Sequence, residues 1–405
     1  MRIRNLFILV ICQLISSTGQ LVMVMLGGII GSQMSPNKAF ATLPYSVMII
    51  SLALTTVPAA IIMSKIGRRA GFSLASIAAA VGLLIAVLAL KESNFLLFNF
   101  ALAMFGINMA FTQQYRYAAA ESVEYKYIPR AISMVLIGPI GAAFVGKEIV
   151  TFGHYLIPEI QYGGIMMILS IMFGIQALFL LNLKSTEFHA DTHQSTTKRP
   201  TGEIILQPVF ISAVIGAMAG AGIMTLLMTA TPISMHINNT YTLDQTAYVI
   251  QIHVLGMYVP SLFTGFLIEK FGVIRIMFIG VIAFFATSII GYQGHSLMHY
   301  WWALLLLGIG WNFLFVGGTT MLTYTYSSTE KFKAQAVNDF LVFGTSAIAS
   351  LLAGTIMYRF GWIQLMLIPI PMLILVCVSL LSIRKSQVLI KNQNKKKERE
   401  ASQLP

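Results

Sequence analysis

The stretch FTQQYRYAAAES (111–122) puts Thr112, Gln113 and Arg116 at the end of an apolar run that begins near Phe95. Asn108, Thr112 and Arg116 recur every four residues, which sets them on one face of a helix, with Gln113 beside them. A polar face ending in a guanidinium suits a carboxylate, a phosphate or another acceptor-rich group, held by two parallel hydrogen bonds. The competing reading is that Arg116, about a turn and a half from Glu121, snorkels to a membrane surface or locks a helix end.

Four more ionisable residues stand inside apolar runs: Lys147, Glu148, His253 and Asp339. Asp339 could carry a proton, or form a gating salt bridge with Arg116 or a loop arginine. Lys147 and Glu148 are adjacent, so they point in different directions. Polar residues that could line a cavity beside these charges include Gln20, with Gln13, Ser16 and Ser17, and Asn312 and Thr320, with Trp311 and Thr319. Some of the Ser and Thr hydroxyls, such as those of Thr225, Thr229 and Thr231, can simply bond their own helix backbone.

Positioning such groups falls to apolar helices. Of the 405 residues, 57% are hydrophobic and 10% charged, against about 25% charged in a soluble domain. Near-continuous apolar segments of about 20 residues each span a bilayer. Twelve can be read between polar breaks, at 6–30, 41–63, 71–90, 95–120, 131–153, 162–183, 205–233, 244–268, 273–293, 299–324, 334–357 and 361–383. An intramembrane charge costs about 2.5–3.5 kcal/mol on insertion scales, so the five ionisable residues must face a partner or a wet cavity.

An even number of spans puts both termini on one side, and Lys and Arg choose the side. One set of loops, with the tail, holds Arg2, Arg4, Lys65, Arg68, Arg69, Lys126, Arg130, Lys184, Lys198, Arg199, Lys270, Arg275, Lys331, Lys333 and everything basic from Arg384 on. The other set holds Lys38, Lys91 and Arg359. Both termini are therefore expected in the cytoplasm. The net charge of +12 reflects this topology and gives no hint of nucleic acid. The basic tail, KNQNKKKERE (391–400), favours anionic lipid headgroups. The opening apolar run continues to about Ile30 without a small-residue cleavage site, so it reads as an uncleaved first span. Cys12 and Cys377 both fall in spans and imply no disulfide framework or thiolate metal site.

A polar break at 183–203 divides the chain into six spans and six spans, and the halves repeat. Lys65 and Gly67 match Lys270 and Gly272 at an offset of 205. Gly106 and Asn108 match Gly310 and Asn312 at an offset of 204. None of the five intramembrane ionisable residues has a charged counterpart in the other half. A duplicated scaffold whose charges are not duplicated fits charges that serve a solute and its coupling.

These motifs resemble those of the major facilitator superfamily. Its loop pattern, Gly-x-x-x-Asp/Glu-Arg/Lys-x-Gly-x-Arg/Lys, is met by Gly265, Glu269, Lys270 and Gly272. In the first half Lys65, Gly67, Arg68 and Arg69 fit, while Ala60 and Ser64 replace the glycine and the acid. Glu121, followed by Arg130, also resembles the superfamily pattern, and IGPIGAA (137–143) matches its antiporter signature in part. The resemblance implies an all-α membrane protein of twelve helices in two pseudo-symmetric six-helix bundles, with these loop residues forming a cytoplasmic gate. Residues 1–183 and 205–383 would be the bundles, 184–204 a cytoplasmic linker and 384–405 the tail. The site would lie near the midplane between the halves, and the fifth span, with Glu148, would pack near His253 of the eighth.

His189 with His193, and His295 with His299, have helical metal-ligand spacing but no clear third ligand. The sequence holds no ATP-binding G-x-x-x-x-G-K-[ST] loop and neither H-E-x-x-H nor G-x-S-x-G. No cofactor, metal or enzymatic activity is implied. The expectation is a monomeric, proton-coupled secondary transporter in the bacterial inner membrane. It would move a small organic solute, with a lean towards an anionic or chelator-like metabolite such as a siderophore. The competing reading is a proton-driven exporter of lipophilic cations; a polytopic enzyme or a transporter-like sensor stands further off.

Overall fold

The computed structural model describes residues 3–123, 131, 134–135, 137–153, 155–183, 200–326 and 330–383, and every regular element among them is helical. Among the described residues ten helices are long and apolar enough to cross a membrane: α1 (Arg4–Met34), α2 (Lys38–Met63), α3 (Lys65–Lys91), α4 (Phe95–Thr112), α6 (Gly163–Leu181), α7 (Pro208–Asn238), α8 (Leu243–Phe271), α9 (Val273–Gln293), α10 (Leu297–Thr323) and α11 (Lys333–Leu365). Two shorter helices, α5 (Gly138–Gly153) and α12 (Pro369–Ile383), fall where the remaining two segments were expected. Helices of that length reach about 24 Å, less than the hydrocarbon thickness of about 30 Å.

The repeat seen in the sequence is also present in the backbone. Gly67, near the start of α3, breaks the helical path at φ 82, ψ 159, and Gly272 turns α8 into α9 at φ 87, ψ 145. A side chain disfavours that region, so both turns need glycine.

Within the first half, α4 and α6 pack on α2 and α3, and α1 packs on α5. Within the second, α7 packs on α10 and α11, and α10 also meets α8 and α9. Aromatic pairs add contacts between helices: Phe105 of α4 meets Phe173 of α6 edge-on at 5.2 Å between ring centres, and Tyr300 of α10 meets Trp362 of α11 at 5.0 Å. Large apolar side chains such as Leu54, Leu96, Leu178, Ile282 and Phe340 stay exposed. On a membrane-spanning bundle such residues can face lipid.

The halves touch along α1–α7, α2–α11 and α5–α8. Several polar contacts between them lie at the end of the bundle away from Arg4. Thr42 donates to the Ser350 carbonyl (2.9 Å), the Ser46 and Ser350 hydroxyls bond at 2.7 Å, and the Gly354 amide donates to Thr42 (3.2 Å). At the same end Lys147 meets Asp244 at 3.1 Å, and Thr151 donates to Asp244 at 3.0 Å.

Two helices break where the sequence suggested continuity. The first break follows Thr112, where Gln113 and Gln114 form a turn before a short helix, Tyr115–Glu121. The Gln114 carbonyl accepts from Arg68 (3.4 Å). The second divides α8 into the runs Leu243–Tyr258 and Ser261–Phe271. Pro260 has no amide hydrogen for the helical ladder there.

Candidate substrate cavity between the halves

A cavity of about 510 Å3, counting its open mouth, lies between the halves, walled by α1, α2, α5, α7 and α8. Its α1 side is polar, with Ser17 and Gln20, and Gln13 donates to the Ser17 hydroxyl (3.0 Å). The facing side is soft and apolar, with Met224 and Met228 from α7 and Val254 and Met257 from α8. Tyr45 and Tyr258 add rings, and among the described residues His253 is the one ionisable side chain of the wall besides these two phenols.

The seam between α8 and α10 fixes His253. Gly256 and Gly308 face each other there, and a Cβ added at Gly256 would stand 2.8 Å from the Leu305 carbonyl oxygen. This close approach brings His253 Nδ1 to 2.8 Å from the Leu304 carbonyl oxygen. A carbonyl only accepts, so Nδ1 carries the proton and donates. In the neutral ring Nε2 therefore presents a lone pair. His253 is fully buried, and its Nε2 has no hydrogen-bond partner among the described residues.

Of the other residues singled out in the sequence, Gln20 lies on this wall, whereas Asn108 and Thr112 are buried inside the first half. Thr112 donates to Ser16 (3.2 Å), Ser16 donates to Gln176 (3.1 Å), and Gln176 donates to Ser76 (2.9 Å) and Tyr115 (3.1 Å). This chain joins α1, α3, α4 and α6 through the short helix. The break at Gln113–Gln114 ends the single polar helix face that the four-residue spacing predicted. Gln113 is half-buried, and Arg116 follows the turn, close enough to Asp339 of α11 for the two charges to interact. Asp339 accepts from Asn338 (3.1 Å).

Asn312 serves the break in α8. Its amide donates to the Met257 carbonyl (2.8 Å) and to Ser261, while its oxygen accepts from Thr264 (2.6 Å). Thr320 bonds its own helix, at the Val316 carbonyl (2.8 Å). Lys147 pairs with Asp244 and, at 3.4 Å, with Glu148. Glu148 thus meets its neighbour Lys147, whereas His253 turns to Leu304. Of the gate residues, Lys65, Gly67, Arg69, Gly265, Glu269, Lys270 and Gly272 are exposed and Arg68 is half-buried, while Lys270 sits 5.3 Å from the Phe271 ring centre. Glu121 ends the short helix. Arg130, His189, His193, the linker from 184 to 199 and the tail from 384 lie outside the described residues.

Sequence reasoning missed Asp244, the tyrosines and methionines of the cavity, and the Thr42–Ser46–Ser350 cluster. Asp244 stands in the helix start TLDQ, where Thr242 and Gln245 form a capping box, so it reads as a first-turn acid. Tyr45, Met224 and Met257 look like any lipid-facing or core residue until the helices are packed.

The sequence profile described as Major Facilitator Superfamily matches residues 213–405. The riboflavin transporter RfnT of Brucella anthropi is 36% identical over 380 residues, covering 93% of this chain and 95% of that protein. The uncharacterized MFS-type transporter YdeG of Bacillus subtilis is 27% identical over 387 residues, covering 90% and 88%. Among solved structures, a mutant form of the nucleoside transporter NupG superposes with a TM-score of 0.73 at 14% identity, covering 94% of this chain and 100% of that one. A bacterial homolog of the human lysosomal transporter Spinster, inward-facing and occupied, also gives 0.73, at 15% identity and with 94% and 96% covered.

Proposed function

The chain belongs to the major facilitator superfamily and is a membrane transporter of a small solute; we propose that the solute is riboflavin or a similarly flat, uncharged heteroaromatic compound, carried by alternating access through the cavity between the halves. The observation that carries this reading is the makeup of the cavity wall beside a relative named for riboflavin transport. Among the described residues the wall holds no Asp, Glu, Lys or Arg; it offers methionine, two tyrosines and a few neutral polar groups. A planar ring system needs polarisable, adaptable surface of this kind. A cation in the wall would favour an anionic metabolite, and a carboxylate would favour a lipophilic cation.

Arg116, the residue that favoured an anion, lies within electrostatic range of Asp339 in the opposite half. This supports a role for the pair in coupling or gating, with a proton carried by Asp339. Contacts between the halves close the end away from Arg4. With the termini in the cytoplasm of a bacterial inner membrane, as the Lys and Arg asymmetry favours, the end closed by these contacts is the outer one. The two bundles, residues 1–183 and 205–383, would then rock about the cavity as a monomer, with the basic tail near anionic lipid.

Titration of the purified protein with riboflavin, followed by quenching of flavin fluorescence, tests the reading. Saturable quenching that siderophores and lipophilic cations do not displace is the expected result. Binding of a ferric siderophore with none of riboflavin would replace this reading with the anionic one.

A further inference from the structure

We infer that His253 is the specificity-determining residue of the cavity, its Nε2 accepting a hydrogen bond from the solute's ring imide N–H; this rests on the flavin reading. Three observations lead there. The ring is fully buried and lines the cavity. Its Nδ1 is committed to the Leu304 carbonyl at 2.8 Å, which fixes the tautomer. Its Nε2 has no hydrogen-bond partner among the described residues. A buried acceptor left unmet is costly, and a solute that brings a donor to it removes that cost.

The surroundings select the donor. Val254 and Met257 flank His253 on α8, and Met224 and Met228 stand on the neighbouring α7, so the acceptor sits in an apolar setting. One acceptor in an apolar wall matches a rigid heteroaromatic ring carrying one N–H in its plane. A polyol chain, which needs several partners of both kinds, suits Ser17 and Gln20 on the α1 side, since a hydroxyl and an amide both donate and accept. A flavin carries both an imide N–H and a polyol chain, so the two walls also orient it. In this tautomer Nε2 cannot donate, which turns away a carboxylate or an aryl carbonyl at the same spot.

The test compares riboflavin with its imide N-methyl analogue, using wild-type protein and His253→Leu, with equilibrium dissociation constants as the readout. Wild type should bind the analogue about tenfold or more weakly, because the N–H is gone and the acceptor stays unmet. In His253→Leu the two ligands should bind within about threefold of each other, riboflavin having lost the partner that distinguished it. Equal binding of both ligands by wild type overturns the inference and leaves the flavin reading intact. The comparison needs no variant, so a misfolded His253→Leu does not rescue the idea. Discrimination that persists unchanged in a folded His253→Leu also overturns it. No riboflavin binding to wild type overturns both this inference and the flavin reading.

Discussion

Asp244→Asn removes the charge of the ion pair that ties α5 to α8 and keeps the oxygen that accepts from Thr151, so it isolates the electrostatic part of the closure. Lys147 Nζ lies 3.1 Å from Asp244. Two unit charges at that distance attract by about 1.3 kcal/mol in bulk water. The side chains are 19% and 54% exposed, and exposed pairs return only about 0.2–1 kcal/mol after entropy and screening. An upper value near 1 kcal/mol corresponds to about a fivefold change in the ratio of the two states. Spin labels at Pro36→Cys and Tyr358→Cys, with Cys12 and Cys377 replaced by alanine, report that ratio by pulsed EPR as the long-distance to short-distance population. Asp244→Asn should raise the long-distance share by up to about fivefold in the ratio, and the exchange Lys147→Asp with Asp244→Lys should bring it back. High salt should act in the same direction as the single substitution, because it screens the pair. An unchanged distribution in Asp244→Asn, or an exchange no better than either single change, would refute the reasoning.

Three further outcomes follow from the contacts described. Gly354→Leu should wedge α2 from α11, since a Cβ there would stand 2.7 Å from Thr42 Oγ1 and 3.0 Å from the Ala39 carbonyl oxygen; the same spin labels should move apart, and an unmoved pair would count against the close seam. Gln176→Leu strips the partner shared by Ser16, Ser76 and Tyr115 and should cost about 1–3 kcal/mol, lowering the thermal midpoint in detergent while leaving riboflavin affinity within about twofold, because no member of that chain lines the cavity. Asp339→Asn should abolish accumulation driven by a proton gradient yet preserve exchange of solute across the membrane; accumulation that survives would remove Asp339 from the coupling step.

The fold was legible because its signals are repeated and long. Apolar runs, the side bias of Lys and Arg, and the glycine turns at Gly67 and Gly272 each state the same architecture, and the two turns adopt nearly the same backbone angles. The cavity was less legible, for a physical reason. Four-residue spacing predicts a shared face only while the helix continues, and the turn at Gln113–Gln114 separates Thr112 from Arg116. Polarity inside an apolar run then proved ambiguous: Asn108 and Thr112 are buried inside their own half, Asn312 supports the break in α8, and Gln20 and His253 reach the cavity. His253 was legible as a buried ionisable group, but its committed nitrogen depends on the Gly256–Gly308 approach, which only packing reveals. The methionine and tyrosine surfaces carry no sequence mark that separates them from core or lipid-facing residues. Asp244 was concealed by its place in a capping box.

The central claim is that this chain moves a flavin through the cavity between its halves, and entrance counterflow tests it most directly. Protein reconstituted in liposomes loaded with unlabelled riboflavin is diluted into a trace of labelled riboflavin, with no ion gradient, so that neither direction nor coupling enters. The account predicts a transient overshoot of label inside the liposomes that empty liposomes lack and that outside riboflavin competes away. Label that never rises above the empty-liposome level, from protein shown to be folded and inserted, would contradict it.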